Sequence, residues 1–121
     1  MKVIIAGSRN VHDYKLVVQA MERCGYEVTE VVCGMANGID RLGEQWARAN
    51  NISVIEMPAD WNRHGKKAGV LRNIEMAKYA DAAVVIWDGV SPGSRHMINE
   101  MIRKNKPYFV QLTESEDVPV Q

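Results

Sequence analysis

The sequence predicts an α/β protein, a three-layer sandwich in which a five-stranded parallel sheet lies between two layers of helices. Two observations carry that expectation. Short apolar runs and helical apolar patterns alternate along the 121 residues without a break. Several of the runs are also rich in β-branched residues throughout, as strands covered on both faces are. The order βαβαβαβαβ then demands parallel strands joined by right-handed crossovers.

The first run, Lys2–Ala6 (KVIIA), is closed by Gly7. Asp13–Cys24 sets Val17, Met21 and Cys24 on one helical face, and Gly25 stops it. Glu27–Val32 (EVTEVV) reads as the second strand. A loop with two glycines, Cys33–Ile39, follows, and then Ile39, Leu42, Trp46 and Ala49 recur at helical spacing, which assigns Trp46 to the core. Ser53–Met57 (SVIEM) is the third strand, closed by Pro58. The stretch Ala59–Gly69 is polar, and helix returns with Val70, Ile74 and Ala77. Ala82–Trp87 (AAVVIW) is the most hydrophobic strand, and the loop Asp88–Gly93 leads to a helix with Met97, Ile98, Met101 and Ile102 on its apolar face. Pro107–Leu112 (PYFVQL) is the last strand. Repeats, low-complexity blocks and linkers are absent, so residues 1–112 are expected to form a single domain, with an acidic tail over 113–121 that frays.

Composition narrows the partners. The chain is 46% hydrophobic and 25% charged, the balance of an ordinary globular protein. Fifteen basic residues offset fifteen acidic ones, so no net field draws it to nucleic acid or to an anionic membrane, and any anion site must be local. Cys24 and Cys33 lack metal-ligand spacing and read as reduced, half-buried residues. No metal and no cofactor are called for. The N-terminal apolar run is too short for a signal peptide and nothing approaches a membrane span, so a cytoplasmic location is expected.

The first and fourth strands, being the most hydrophobic, should be central. That favours the order 3-2-1-4-5, the Rossmann-like arrangement, in which ligands bind beyond the carboxyl ends of the strands where the winding reverses. The loops there are "GSRN" (Gly7–Asn10) and "DGVSPGS" (Asp88–Ser94), with "CGMANGID" (Cys33–Asp40) beside them. Glycines permit close backbone approach, and helix N-termini offer N–H groups to an anion. Ser8 and Ser94 would add hydroxyls, and Arg9 a planar charged fork. Blander readings stand alongside: Ser94 and Asp40 as helix caps, Arg9 as a solvated surface residue. Gly-x-Gly-x-x-Gly does not follow the first strand and Gly-Lys-Ser/Thr is absent, which disfavours a dinucleotide redox domain or a P-loop NTPase.

A second concentration of chemistry is Asp60–Asn73 (DWNRHGKKAGVLRN). Trp61 either stacks on a base or anchors a lid from beneath. Arg72 falls in the first turn of its helix, where a cation opposes the macrodipole, and so points to an anionic partner. His12 and His96 read as solvated side chains.

Taken together, "AGSR", "CGMANGIDRLGEQWA" and "MPADW…GKKAGVLRNIEMAKYADAAVVIWDGVSPGSRHMI" resemble the SLOG superfamily, and more closely its small YspA-type (cpYpsA-related) members, over roughly Met1 to Val110. The resemblance implies a Rossmann-like domain for nucleotides or nucleotide-derived ligands; the superfamily also includes the Lonely Guy phosphoribohydrolases, DNA-processing protein A and bacterial nucleotide sensors. It implies that Gly7, Ser8 and Arg9 form the first family loop and Gly34, Gly38 and Asp40 the second. Arg72, in an Arg72-Asn73 pair, falls where Lonely Guy enzymes have a catalytic arginine. Their Pro-Gly-Gly-x-Gly-Thr-x-x-Glu agrees here only at Gly93 and Ser94, and the glutamate position is Met97. Glu100 lies one turn later, and Asp40, Asp60, Glu75 and Asp88 are other carboxylates near the expected site.

The expectation is a protein that binds an ADP-ribose-like or NAD-like nucleotide derivative as sensor or sequestering protein, through Gly7, Ser8, Arg9, Gly34, Gly38, Asp40, Trp61, Arg72, Asn73, Ser91, Gly93 and Ser94. The alternative is an N-glycosidic-bond hydrolase using Arg72, Asp40 and Asp88. A nucleic-acid partner is disfavoured, and a homodimer through the Met97–Ile102 helix face is expected.

Overall fold

The computed structural model describes residues 1–34 and 38–113. The expected α/β sandwich is what it shows: five parallel strands in the order β3-β2-β1-β4-β5. They are β1 (Lys2–Gly7), β2 (Glu30–Cys33), β3 (Ser53–Glu56), β4 (Ala82–Trp87) and β5 (Tyr108–Leu112). The helices are α1 (Tyr14–Arg23), α2 (Ile39–Ala49), the single turn α3 (Trp61–His64), α4 (Ala68–Tyr79) and α5 (Pro92–Arg103), with a 3₁₀ turn at Gly65–Lys67 between α3 and α4.

Strand composition explains the order. The side chains of β1 and β4 are almost wholly buried, whereas those of β3 and β5 are mostly partly buried or exposed, as at sheet edges. Period-2 alternation then splits the core. Val3, Ile5, Val31, Cys33, Val84 and Ile86 meet α1 and α2 on one face through Leu16, Val17, Ala20, Ile39 and Ala47. Ile4, Ala6, Val32, Ala83 and Val85 meet α4 and α5 on the other through Met76, Ala77, Met97 and Met101. The winding therefore reverses between β1 and β4, which pair from Val3–Ala82 to Gly7–Ile86.

Several boundaries differ from expectation. β2 begins at Glu30, because Glu27–Thr29 lead into it while the Thr29 N–H donates to the Met1 carbonyl. The polar stretch before α4 holds the short α3, started by Asp60, whose carboxylate accepts from the Arg63 N–H at 3.1 Å. Met97 and Met101 are spent in the core, leaving Ile98 half-buried and Ile102 51% exposed, so the apolar surface that suggested pairing reduces to Ile102. Of the tail, Thr113 donates its N–H to the Trp87 carbonyl; the expectation for 114–121 lies outside the described residues.

The C-terminal end of α4 is closed by a side chain far along the sequence. The Lys106 ammonium donates to the carbonyls of Ala77, Lys78 and Ala80 at 2.8, 2.9 and 2.8 Å, satisfying orphaned acceptors at the negative end of the helix dipole. Lys106→Met keeps the stem and removes the donors. It should lower stability by about 1–2 kcal/mol, read from the urea midpoint; an unchanged midpoint would mean that water serves those carbonyls as well.

Candidate functional site

At the carboxyl edge, over the β1/β4 reversal, lies a cleft of about 570 Å³. Of the expected site residues, Gly7, Ser8, Arg9, Asp40, Trp61, Arg72, Asn73, Ser91, Gly93 and Ser94 line it. Gly34, Gly38 and Asp88 do not. Their roles are to hold the lining residues in place.

Gly34 gives its carbonyl to the Arg72 guanidinium, and a Cβ there would sit 2.3 Å from Arg72 Nη1 and 2.9 Å from Asp40 Oδ2. Gly38 precedes α2 with φ +75°, and a Cβ would strike the Arg9 and Ser8 carbonyl groups. Gly7 lines the cleft but is demanded by packing, since a Cβ would lie 2.2 Å from the Ile86 carbonyl oxygen. Asp88 is the anchor of its own turn. Its carboxylate accepts from the Val90 and Ser91 N–H groups at 2.9 and 2.7 Å and from the Ser91 hydroxyl at 2.7 Å.

Ser8 braces the two loops as well as lining the cleft. Its N–H donates to the Ile86 carbonyl and its hydroxyl oxygen accepts from the Asp88 N–H, both at 3.1 Å. The cap readings fall. α2 starts from Gly38 with Asp40 inside the helix, and α5 starts from Ser91, with Pro92 in its first position. Ser94 is therefore the third residue of α5. It is 5% exposed, lines the cleft, and its hydroxyl makes no hydrogen bond among the described residues.

Arg72 stands in the second turn of α4, one turn later than expected, so the macrodipole argument loses most of its force. Its surroundings supply a better one. Burial pulls the guanidinium below its ordinary range while Asp40 pushes the other way. Its Nη1 donates to Gly34 and its Nε donates to Asn73 Oδ1 at 3.1 Å. The Asn73 amide nitrogen donates onward to the Gly93 carbonyl at 3.3 Å, which joins α4 to the start of α5.

At the rim Trp61 is 51% exposed. Its ring tip would lie 3.5 Å from a Cβ at Gly69, and the Arg9 guanidinium is 6.0 Å from its centroid. One edge of Trp61 thus packs on α4 and the rest faces solvent. Lys66, one of the cations of the Asp60–Asn73 stretch, and His96, which reads from sequence as solvated, also line it. The i, i+4 spacing of His96 and Glu100 was the available signal for the latter.

Asp40 is the one carboxylate among the described residues that line the cleft. Glu100 is 2% exposed and bound to Lys104 at 2.8 Å, which holds its carboxyl below the usual range. Cys33 is buried, and desolvation, then Asp40, pushes its thiol upward, so it is no nucleophile. Among the described residues no group of three His, Cys, Asp or Glu could hold a metal ion, and no helix is long and apolar enough to cross a membrane.

A model of the YspA, cpYpsA-related SLOG family matches residues 1–64. The chain belongs to that family. The Gene 61 protein of Mycobacterium phage D29 is 38% identical over 116 residues, covering 88% of this chain and 92% of the relative. No solved structure matches significantly. For this SLOG chain, membership is consistent with a ligand related to nucleotides, and the cleft lies where the sheet order puts such a site.

The Asp88 turn carries a pH prediction. Its three hydrogen bonds, those to Ser91 first, bring the carboxyl down to about 2, against about 3.9 in an unfolded chain. A depressed folded value stabilises above the unfolded one and is lost as pH falls through the folded one. Wild type should therefore lose stability between about pH 4 and pH 2, and Asp88→Asn should be less stable at pH 7 and flatter across that window. Urea midpoints at stepped pH check this; equal slopes in both proteins would remove Asp88 from the account.

Proposed function

We propose that this SLOG protein binds a phosphate-bearing, nucleotide-derived ligand in the cleft, of the ADP-ribose or NAD-like class, as a sensor or sequestering protein. The Ser94 hydroxyl carries the reading. It is buried and unpartnered in the first turn of α5, where the N–H groups of Gly93 and Ser94 have no intrahelical acceptor. Burying a hydroxyl without a partner costs about 1–3 kcal/mol, and an anion at a helix N-terminus would accept from all three donors. Arg9, Lys66 and Arg72 supply charge around the cleft in a chain with no net charge of its own. The exposed face of Trp61 offers a surface for a base.

Ser94→Ala separates function from folding. The free protein should be as stable as wild type or more so, because an unsatisfied hydroxyl is removed, while affinity falls about tenfold or more. The measurement is a thermal-shift panel of NAD, ADP-ribose, AMP and cyclic nucleotides. A ligand at 100 times its dissociation constant should stabilise wild type by about 2.7 kcal/mol. No shift with any member at millimolar concentration would end this reading, and a less stable Ser94→Ala would mean that its hydroxyl has a partner in the fold.

Asp40 supports a second reading, hydrolysis of an N-glycosidic bond. It is a carboxylate 6% exposed, in the cleft, beside the Arg72 guanidinium. Such a group would stabilise the oxocarbenium-like state that glycosidic cleavage passes through. Met97, where the related hydrolases have their glutamate, brings no such chemistry, and Asp88 is outside the cleft lining. Chromatography of incubated nucleotides decides: release of free base in wild type and none in Asp40→Asn supports hydrolysis, and intact nucleotide with retained binding leaves the sensor reading.

A further inference from the structure

We propose that His96 is a positioning residue of the cleft: in its neutral form, facing Glu100, it holds Asn73 in the one orientation that accepts from Arg72 Nε, and its protonation breaks that contact. The proposal rests on the reading that the cleft binds an anionic ligand.

The argument starts from the Asn73 amide, which is 9% exposed and constrained at both ends. Its oxygen accepts from Arg72 Nε at 3.1 Å. Its nitrogen donates to the Gly93 carbonyl at 3.3 Å and meets His96 Nδ1 at 3.2 Å. An amide nitrogen only donates, so Nδ1 must be the acceptor, and the neutral ring carries its proton on Nε2. Nε2 faces Glu100 Oε2 at 3.7 Å. Glu100 is itself held by Lys104 at 2.8 Å and Arg103 at 3.1 Å. Nδ1 is thereby taken up by Asn73, and Nε2 is turned toward Glu100, so the ring is set to position its neighbour.

A second proton on the ring sets N–H against N–H at Nδ1. Turning the amide over mends that contact, but it then sets the amide nitrogen against Arg72 Nε–H and strips the Gly93 carbonyl of its donor. No orientation of Asn73 serves both a charged His96 and the present Arg72. The charged groups around His96 are few. Glu100, Arg95, Arg103 and Lys104 are on its own helix or just past its end, Arg72 comes from α4, and Arg9, Lys66 and the Asp40 carboxylate share the cleft. β4 has no titratable residue, and β1 has only Lys2 at the opposite edge.

The test is nuclear magnetic resonance on the ¹⁵N-labelled full chain. At pH 8 the His96 ring should show the Nε2–H tautomer. Between pH 8 and about pH 5, the range in which histidines change charge, the Asn73 side-chain amide and Arg72 Nε–H signals should move with the His96 midpoint. ADP-ribose, whose charge is constant over that range, should bind about tenfold more weakly at the acid end. In His96→Gln, which offers an acceptor that does not titrate, that ratio should fall to about one. An Nδ1–H tautomer, an Arg72 signal unmoved while His96 titrates, or equal pH dependence in both proteins would overturn the proposal. If ADP-ribose binds at neither pH, the ligand reading loses that member, while the tautomer and the Arg72 signal still decide on His96.

Discussion

The pairing of β1 with β4 is the constraint on which the rest depends. These strands are the most buried of the sheet, and their pairing continues past its formal end through the Ser8 N–H to Ile86 and the Asp88 N–H to the Ser8 hydroxyl. Beyond that brace the two chains part to opposite faces, β1 into α1 and β4 into α5. A space between diverging loops cannot be filled by either, and it is there that the cleft opens. Gly7 belongs to the same constraint, since any Cβ would press on the Ile86 carbonyl and loosen the brace. The residues that look like ligand donors in the sequence are thus largely committed to making the cleft possible.

What faces the cleft is less well satisfied. Arg72 is buried at a cost in charge solvation, offset by Asp40, the Gly34 carbonyl and Asn73. Ser94 has no such compensation. Buried polar groups in native proteins nearly always find partners, and an orphan is retained chiefly where something outside the fold completes it. The polar chain from Arg72 through Asn73 and His96 to Glu100 ties α4 and α5 together, so an event at one end of it is felt at the other.

How much of this was legible follows from the kind of signal involved. β4 and the sheet order could be read because continuous apolar runs report burial on both faces, a property of the residues themselves. The start of β2 was misread because the mixed pattern of Glu27–Thr29 resembles strand, while its pairing depends on where Met1 lies. The cleft's position followed from topology, and most of its residues from the loops that topology brings together. The division of labour within it did not. Ser8 and Ser94 are both serines beside glycines, and only the partner atoms of each distinguish a brace from an open donor. His96 reads from sequence as solvated because its meaning lies in Asn73, 23 residues earlier.

The two functional readings differ finally in which of two neighbouring opposite charges, Asp40 or Arg72, the ligand meets. Asp40 and Arg72 flank the same point above Gly34. A phosphate drawn to Arg72 competes with Asp40 for the guanidinium and gains only the difference, so it binds well only if Ser94 and the α5 N-terminus hold it from the other side. A ribosyl cation would instead lean on the Asp40 carboxylate. The unpartnered donor lies at Ser94, on α5, and not at this pair. Binding therefore calls on a hydroxyl that has no partner among the described residues, whereas hydrolysis must draw on a carboxylate already set beside a guanidinium. That asymmetry is why the sensor reading stands first.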